Sequence, residues 1–77
     1  MNIRLEYMGF FKIDGVPSGS VVEFAPGTTI DALLDRLLVK QESRKFMVPL
    51  VNRVRQPFDH PLADGESIFL YFPVGGG

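Results

Sequence analysis

The sequence predicts an α+β fold in which one main helix packs on one face of a mixed sheet of four to five strands. Strict alternation of apolar and polar residues near the start of the chain is typical of a half-buried strand, and an apolar run near its end indicates another strand with two distinct faces. Between these ends lies one broad apolar stripe with helical spacing, which indicates an amphipathic helix. With 77 residues, of which 45% are hydrophobic, the chain can form one small core and no second one.

The first predicted strand is Asn2–Tyr7, where apolar and polar side chains alternate along the whole segment. Glycine, proline and aspartate between residues 14 and 19 supply the conformations that a turn requires. Ser20–Phe24 follows as a second strand, rich in β-branched residues. We therefore expect a hairpin, although further apolar residues at 10–13 leave the end of its first strand open.

The main helix is predicted to begin after Pro26-Gly27, with Thr28 or Thr29 capping its first turn through the side-chain hydroxyl. Its apolar residues recur at i, i+3, i+4, i+7 and i+8: Ile30, Leu33, Leu34, Leu37 and Leu38. We expect this stripe to cover the sheet. Asp31 and Asp35 share another side of the helix, and we interpret both as solvated charges.

The second half of the chain is predicted to add the remaining strands. Gln41–Lys45 is interpreted as a polar connector, and Phe46–Val51 as a strand in which Pro49 marks a sheet edge or a bulge. Asn52-Arg53 looks like a turn into a short strand at Val54-Arg55. In the loop that follows, Leu62 is expected to plug the core.

The last strand is predicted over Glu66–Phe72 and has two distinct faces. One face carries Ile68, Leu70 and Phe72, and the other carries Phe69 and Tyr71. If the helix covers the first face, both aromatic residues of the second are exposed, and exposed aromatic residues at this density suggest a partner-binding surface. The competing interpretation is that they pack against the segment at residues 8–20.

Composition excludes several classes of function. The eight basic and nine acidic residues give a net charge of −1, so we expect no nucleic-acid partner. A small basic patch is conceivable around the third strand, built from Arg44, Lys45, Arg53 and Arg55. The chain has no cysteine and hence no thiolate site or cysteine nucleophile, and we interpret the single histidine, His60, as a solvated turn residue.

The same patterns bear on location and on enzymatic activity. The longest apolar runs fall well short of the roughly 20 residues of a membrane-spanning helix, and charged residues interrupt the early apolar runs where an export signal would lie. We therefore expect a cytoplasmic protein with no membrane contact. Because the sequence offers no nucleophile, base or cleft, we expect that the protein is not an enzyme and binds no metal.

The glycine run at residues 75–77 is the feature with the clearest chemical meaning. Glycine has no Cβ, so the run is expected to form a thin, flexible tail that can enter a narrow channel of another protein. A terminal carboxylate is ionised at neutral pH and reacts as an acyl donor only after a partner converts it to a mixed anhydride, most simply with ATP. The alternative is a frayed terminus without a function.

Several segments together resemble the ubiquitin-like sulfur carriers, which include the small subunit of molybdopterin synthase and the sulfur carrier of thiamine biosynthesis. These are Phe24-Ala25-Pro26-Gly27-Thr28-Thr29-Ile30, the leucine helix, Val51-Asn52, Leu62-Ala63-Asp64-Gly65-Glu66 and Phe72-Pro73-Val74-Gly75-Gly76-Gly77. The resemblance extends from Ile3 to Gly77. It implies a β-grasp (ubiquitin-like) domain over residues 1–74, with the first and last strands adjacent at the centre of the sheet and residues 75–77 as the tail.

The resemblance also implies a function for the tail. Gly76-Gly77 matches the family's terminal diglycine, so Gly77 is expected to be adenylated by a ubiquitin-activating-type enzyme, which uses the ATP. Conversion to a thiocarboxylate then makes Gly77 a sulfur donor for a synthase. The chain is expected to bind no cofactor of its own, and Phe69 and Tyr71 are expected to dock on the activating enzyme.

The chain departs from the family pattern in three places. Gly75 stands where alanine or serine is common, and Glu66 stands where aspartate is commoner. Residues 8–20 match no subfamily, so both the molybdopterin and the thiamine type stay open. The alternative function is a ubiquitin-like interaction module that carries no sulfur.

Overall fold

Five strands form a single mixed sheet in the computed structural model, which describes residues 1–8 and 11–73. In chain order the elements are β1 (Asn2–Tyr7), β2 (Ser20–Glu23), α1 (Ile30–Arg36), α2 (Gln41–Arg44), β3 (Val48–Val51), β4 (Val54–Arg55) and β5 (Ser67–Tyr71). The strand order is β2-β1-β5-β3-β4. Strands β1 and β5 are parallel neighbours, and the other pairs are antiparallel. The α+β fold class, the hairpin and the adjacent first and last strands are confirmed.

The core lies between α1 and the two central strands. Its fully buried side chains are Ile3, Leu5, Ile30, Leu33, Leu34, Ile68 and Leu70. They belong to one cluster, because period two in the strands and the apolar stripe of the helix put all of them on facing surfaces. Leu62 joins this cluster with 3% of its surface exposed, as expected of a core plug.

Helix α1 begins with a side-chain cap and ends earlier than predicted. The Thr29 hydroxyl oxygen accepts a hydrogen bond from the Ala32 amide at 3.1 Å, which satisfies one of the free donors of the first turn. After the helix, Leu38 adopts φ 61° and is 87% exposed. The prediction that Leu38 belongs to the buried stripe is therefore wrong, because the left-handed residue that ends the helix turns its side chain toward solvent.

Residues 41–44 form a short helix, so their prediction as a polar connector is wrong. Arg44 in this helix is only 6% exposed. Its Nη2 donates to the Asp35 carboxylate at 2.8 Å and to the Val39 carbonyl at 2.7 Å, and its Nη1 donates to Asp31 at 3.4 Å. Asp31 and Asp35 are thus ion-paired rather than only solvated, and Arg44 joins α2 to α1.

Pro49 lies in an internal strand, but it is paired only on the β5 side because the ladder to β4 ends before it, so the predicted edge is confirmed locally and the bulge is not observed. Strand β3 pairs with β5 on one side and with β4 on the other, and Pro49 is opposite Leu70. The Pro49 carbonyl accepts from the Gln56 amide at 3.2 Å, just past the end of β4. The proline nitrogen therefore lies on the β4 side. Its lack of a hydrogen removes no hydrogen bond from the ladder between β3 and β5.

The described part of the connection between β1 and β2 packs on the core side of the sheet. Ile13 is 6% exposed, and the Phe11 ring centroid lies 4.9 Å from that of Phe72. In the described part of this connection, these residues contact the inner face rather than Phe69 and Tyr71. Among the described residues, no helix is long and apolar enough to cross a membrane. The predicted domain boundary between residues 74 and 75 lies outside the described residues.

Candidate functional site

The sheet face opposite the core carries an apolar patch, defined here as Val48, Leu50, Phe69 and Tyr71. The register of β3 and β5 places Val48 opposite Tyr71 and Leu50 opposite Phe69. The Phe69 and Tyr71 ring centroids are 6.3 Å apart. The prediction that Phe69 and Tyr71 face away from the core is confirmed.

The two aromatic residues of the patch differ in exposure. Tyr71 is 39% exposed, whereas Phe69 is only partly exposed. The expectation that both are freely exposed is therefore wrong for Phe69, which is covered in part by the neighbours that the antiparallel register brings beside it. Their role in binding a partner stays a prediction.

A cleft of about 520 Å³ opens beside Phe69 on this face. It is lined by Glu6, Leu50, Asn52, Arg53, Ser67 and Phe69. Apolar side chains of β3 and β5 line it together with charged groups from β1 and from the turn between β3 and β4. The cleft can therefore accept an apolar side chain and pair with a charge at the same time.

The turn between β3 and β4 places Arg53 in the cleft wall. Asn52 and Arg53 adopt φ 48° and 72°, as in the two-residue turn that best suits a hairpin. Asn52 ties this turn to β5, because its amide donates to the Ser67 carbonyl at 2.9 Å and its side-chain oxygen accepts from the Ser67 amide at 3.0 Å. The Asn-Arg pair predicted the turn, but nothing local predicted that it would border a cleft.

Only part of the basic patch that the sequence suggested lies on this face. Arg44 is buried against α1, as described above, so the basic patch of Arg44, Lys45, Arg53 and Arg55 is wrong as a single surface. Arg4, Arg53 and Arg55 are exposed and make no ion pair with any residue in 1–8 or 11–73. The open face therefore combines apolar surface with arginine side chains that form no ion pair within the described part of the chain.

The glycine tail continues from β5, the strand that forms half of the apolar patch. Phe72 is buried and Pro73 is exposed at the end of this strand. Gly75, Gly76 and Gly77 lie outside the described residues, so their predicted roles stay predictions. His60 lies in a turn, where its amide donates to the Pro57 carbonyl at 3.0 Å. No group of His, Cys, Asp or Glu side chains in the described ranges could hold a metal ion.

Comparison with known proteins finds likeness in structure only. No protein-family model and no curated protein sequence matches the chain. The small archaeal modifier protein 1 of Haloferax volcanii is similar over 100% of both chains, with 21% identity and a TM-score of 0.73. A putative molybdopterin converting factor subunit 1 from Pyrococcus furiosus is 20% identical, with 95% of this chain and 98% of that chain covered and a TM-score of 0.68.

A third similar chain comes from the complex of subunits 1 and 2 of the molybdopterin-converting factor from Helicobacter pylori. It is 22% identical over 100% of both chains, with a TM-score of 0.66. At this level of sequence identity, structural similarity is evidence for a shared fold and not for a shared function. It confirms the fold that the sequence motifs indicated: this chain has the β-grasp fold.

Proposed function

We propose that this protein is a sulfur carrier whose Gly77 carboxylate is adenylated by a ubiquitin-activating-type enzyme and then converted to a thiocarboxylate. The observation that carries the proposal is the combination of a β-grasp fold with a glycine run that follows its central strand β5 in the sequence, after three intervening residues. In this arrangement the rigid domain docks on the partner, and the tail reaches the partner's active site.

The chemistry assigned to this chain is limited to delivering one carboxylate. ATP bound by the partner activates Gly77, because an ionised carboxylate is a poor electrophile until it becomes a mixed anhydride. Gly75 and Gly76 leave only backbone to pass along the approach channel. The thiocarboxylate then donates its sulfur to a synthase, and the carrier needs no bound cofactor for any of these steps.

Two observations support the assignment of partners. The apolar patch and its arginine side chains form a mixed surface of the kind found at protein–protein interfaces, so Phe69 and Tyr71 are proposed to dock on the activating enzyme. One structural neighbour belongs to a complex of molybdopterin-converting factor subunits 1 and 2, which supports a synthase subunit as the sulfur acceptor. Delivery to a thiamine-type synthase is the alternative within this proposal.

A second candidate function is that of a ubiquitin-like modifier. The likeness to small archaeal modifier protein 1 at a TM-score of 0.73 favours it. In that case the same activated carboxylate would be joined to other proteins rather than converted to a thiocarboxylate. If Gly77 is never activated, the protein would instead act as an interaction module without sulfur chemistry.

Intact mass spectrometry separates these functions. The protein is incubated with an activating enzyme from its own organism, ATP and a sulfur source, and a reaction without ATP serves as the control. A carrier gains the mass difference between one sulfur and one oxygen, whereas a modifier appears in covalent conjugates with other proteins. An unchanged mass with every activating enzyme of that organism would contradict both.

A further inference from the structure

Arg53 has a backbone conformation that favours glycine. It is the second residue of the two-residue turn between β3 and β4, with φ 72°. At this position glycine is the usual residue, because an L-residue with a side chain is strained at positive φ. Arginine at this position therefore lowers the stability of the fold relative to a residue that accepts the left-handed conformation.

The turn itself does not require the arginine side chain. Asn52 holds the turn against β5 through its two hydrogen bonds with Ser67. The Arg53 guanidinium makes no hydrogen bond or ion pair with any residue in the described ranges. The Arg53 side chain is therefore available, as far as the described residues go, to bind a group from outside this chain.

The surroundings of Arg53 define what it can bind. Its side chain lines the cleft together with Leu50 and Phe69, and Arg55 is opposite Leu50 on the same face. The outward positions of β3, β4 and β5 carry no acidic residue, so this end of the face is cationic in a chain of net charge −1. Arginine pairs best with carboxylates and phosphates. Because the Glu6 carboxylate also lines the cleft, the cleft suits a single carboxylate held by Arg53 better than a polyanion such as nucleic acid.

We infer that Arg53 binds a carboxylate of the activating enzyme, while an apolar side chain of the same enzyme segment enters the cleft between Leu50 and Phe69. This inference rests on the proposed function. The cleft lies toward the Ser67 end of β5, about 13 Å from the Tyr71 end at the usual rise per residue, and the glycine run follows Tyr71 in the sequence. One protein surface of ordinary interface size spans that distance, so the same partner can hold the cleft and receive the tail.

The test compares adenylation kinetics across four proteins: the wild type, Arg53→Gly, Arg53→Lys and Leu38→Gly. ATP–pyrophosphate exchange with the activating enzyme gives kcat and KM for the carrier at low and at high salt. Leu38→Gly is the matched control, because Leu38 also has a positive φ but lies by the end of α1, away from the open face. Melting temperatures show that each variant is folded.

Arg53→Gly is expected to raise KM about tenfold at low salt with kcat unchanged, as loss of a charge-assisted contact would. The difference should shrink at high salt, where the charges are screened. Arg53→Lys keeps the charge and should stay within about threefold of the wild type. Leu38→Gly should leave KM unchanged.

Two results would overturn the inference while leaving the proposed function intact. The first is an unchanged KM in Arg53→Gly. The second is an equal, salt-independent rise of KM in Arg53→Gly and Arg53→Lys, which would indicate shape rather than charge. Should Arg53→Gly fold poorly, Arg53→Asn replaces it, because asparagine tolerates positive φ. If no activating enzyme adenylates the wild type, the proposed function fails and this inference fails with it.

Discussion

Leu38 and Arg53 both adopt left-handed conformations that a residue with a side chain rarely takes. At Leu38 the reason is the end of α1, where the Leu38 and Val39 amides donate to the Asp35 and Leu34 carbonyls at 3.1 and 2.9 Å. These bonds satisfy carbonyls that would otherwise be free at the helix end. At Arg53 the hairpin imposes the conformation. The backbone conformation of each of these residues is therefore set by the elements that flank it.

Gly77 is predicted to be the reactive residue, and the length of the glycine run should matter as much as the identity of its last residue. Deleting Gly77 leaves a terminal carboxylate that lies about 3.5 Å short of the partner's ATP. A displacement of about 1 Å can lower a rate by about 100-fold, so thiocarboxylate formation should nearly stop. Mass spectrometry of the product checks this.

Gly76→Val is the companion variant at the tail. It keeps the length of the chain but adds bulk where the channel is expected to admit only backbone, so turnover should also be lost while the melting temperature stays that of the wild type. Turnover at the wild-type rate in the protein that lacks Gly77 would contradict the assignment of the reactive residue.

At the scale of elements, α1 stabilises the fold through the first two turns of its stripe. Leu34 is fully buried, whereas Leu37 at the helix end is only partly buried. Leu34→Ala should therefore lower the free energy of unfolding by about 2–5 kcal/mol, and Leu37→Ala should cost clearly less. Thermal and urea unfolding of both variants measure the difference. An equal cost would show that the helix end packs as tightly as its middle.

Helix α2 is held to α1 by the Arg44 ion pairs. Asp31 and Asp35 are 49% and 65% exposed, while Arg44 is 6% exposed, so the cost of desolvation falls on the arginine. The double variant Asp31→Asn and Asp35→Asn keeps the buried charge but removes its carboxylates. It should lose about 1–3 kcal/mol of stability.

Arg44→Met tests whether the unpaired buried charge causes the loss of stability in the double aspartate variant. Methionine removes the buried charge and fills much of the same volume, so this variant should be less destabilised than the double aspartate variant. Urea unfolding measures both. The opposite order would mean that the aliphatic part of Arg44 contributes more than its charge.

At the scale of the whole molecule, the sheet separates the core from an outer surface. Its inner face holds the core, and its outer face holds the apolar patch on β3 and β5. Residues of the patch can therefore change without changing the core, because successive residues of one strand belong to opposite faces.

Changing Phe69 and Tyr71 together to serine tests this separation. Association with the activating enzyme should weaken by more than about 2 kcal/mol, as for aromatic interface residues. Partial burial of Phe69 should lower the melting temperature somewhat, but far-ultraviolet circular dichroism should stay native. Val21→Ser, on the same sheet face but at the edge strand β2, is the control and should bind normally. Loss of the fold in the double variant would place both rings in the core.

The sequence alone determined the order of the strands and of α1, and most of the core. Alternation in β1 and the stripe of α1 are local patterns, and a local pattern reports directly which side of an element is buried. The family resemblance added the adjacency of the first and last strands. Phe69 and Tyr71 could be placed on the outer face by counting residues along a single strand.

Only the tertiary structure decided where the charged residues and the helix end lie. The burial of Arg44 depends on carboxylates from another helix, and the exposure of Leu38 depends on where hydrogen bonding stops α1. Arg53 reaches the cleft because Asn52 binds Ser67, which is 15 positions away in the chain. Periodicity carries no information about such partners, because polar contacts between distant residues are set by the packing of whole elements.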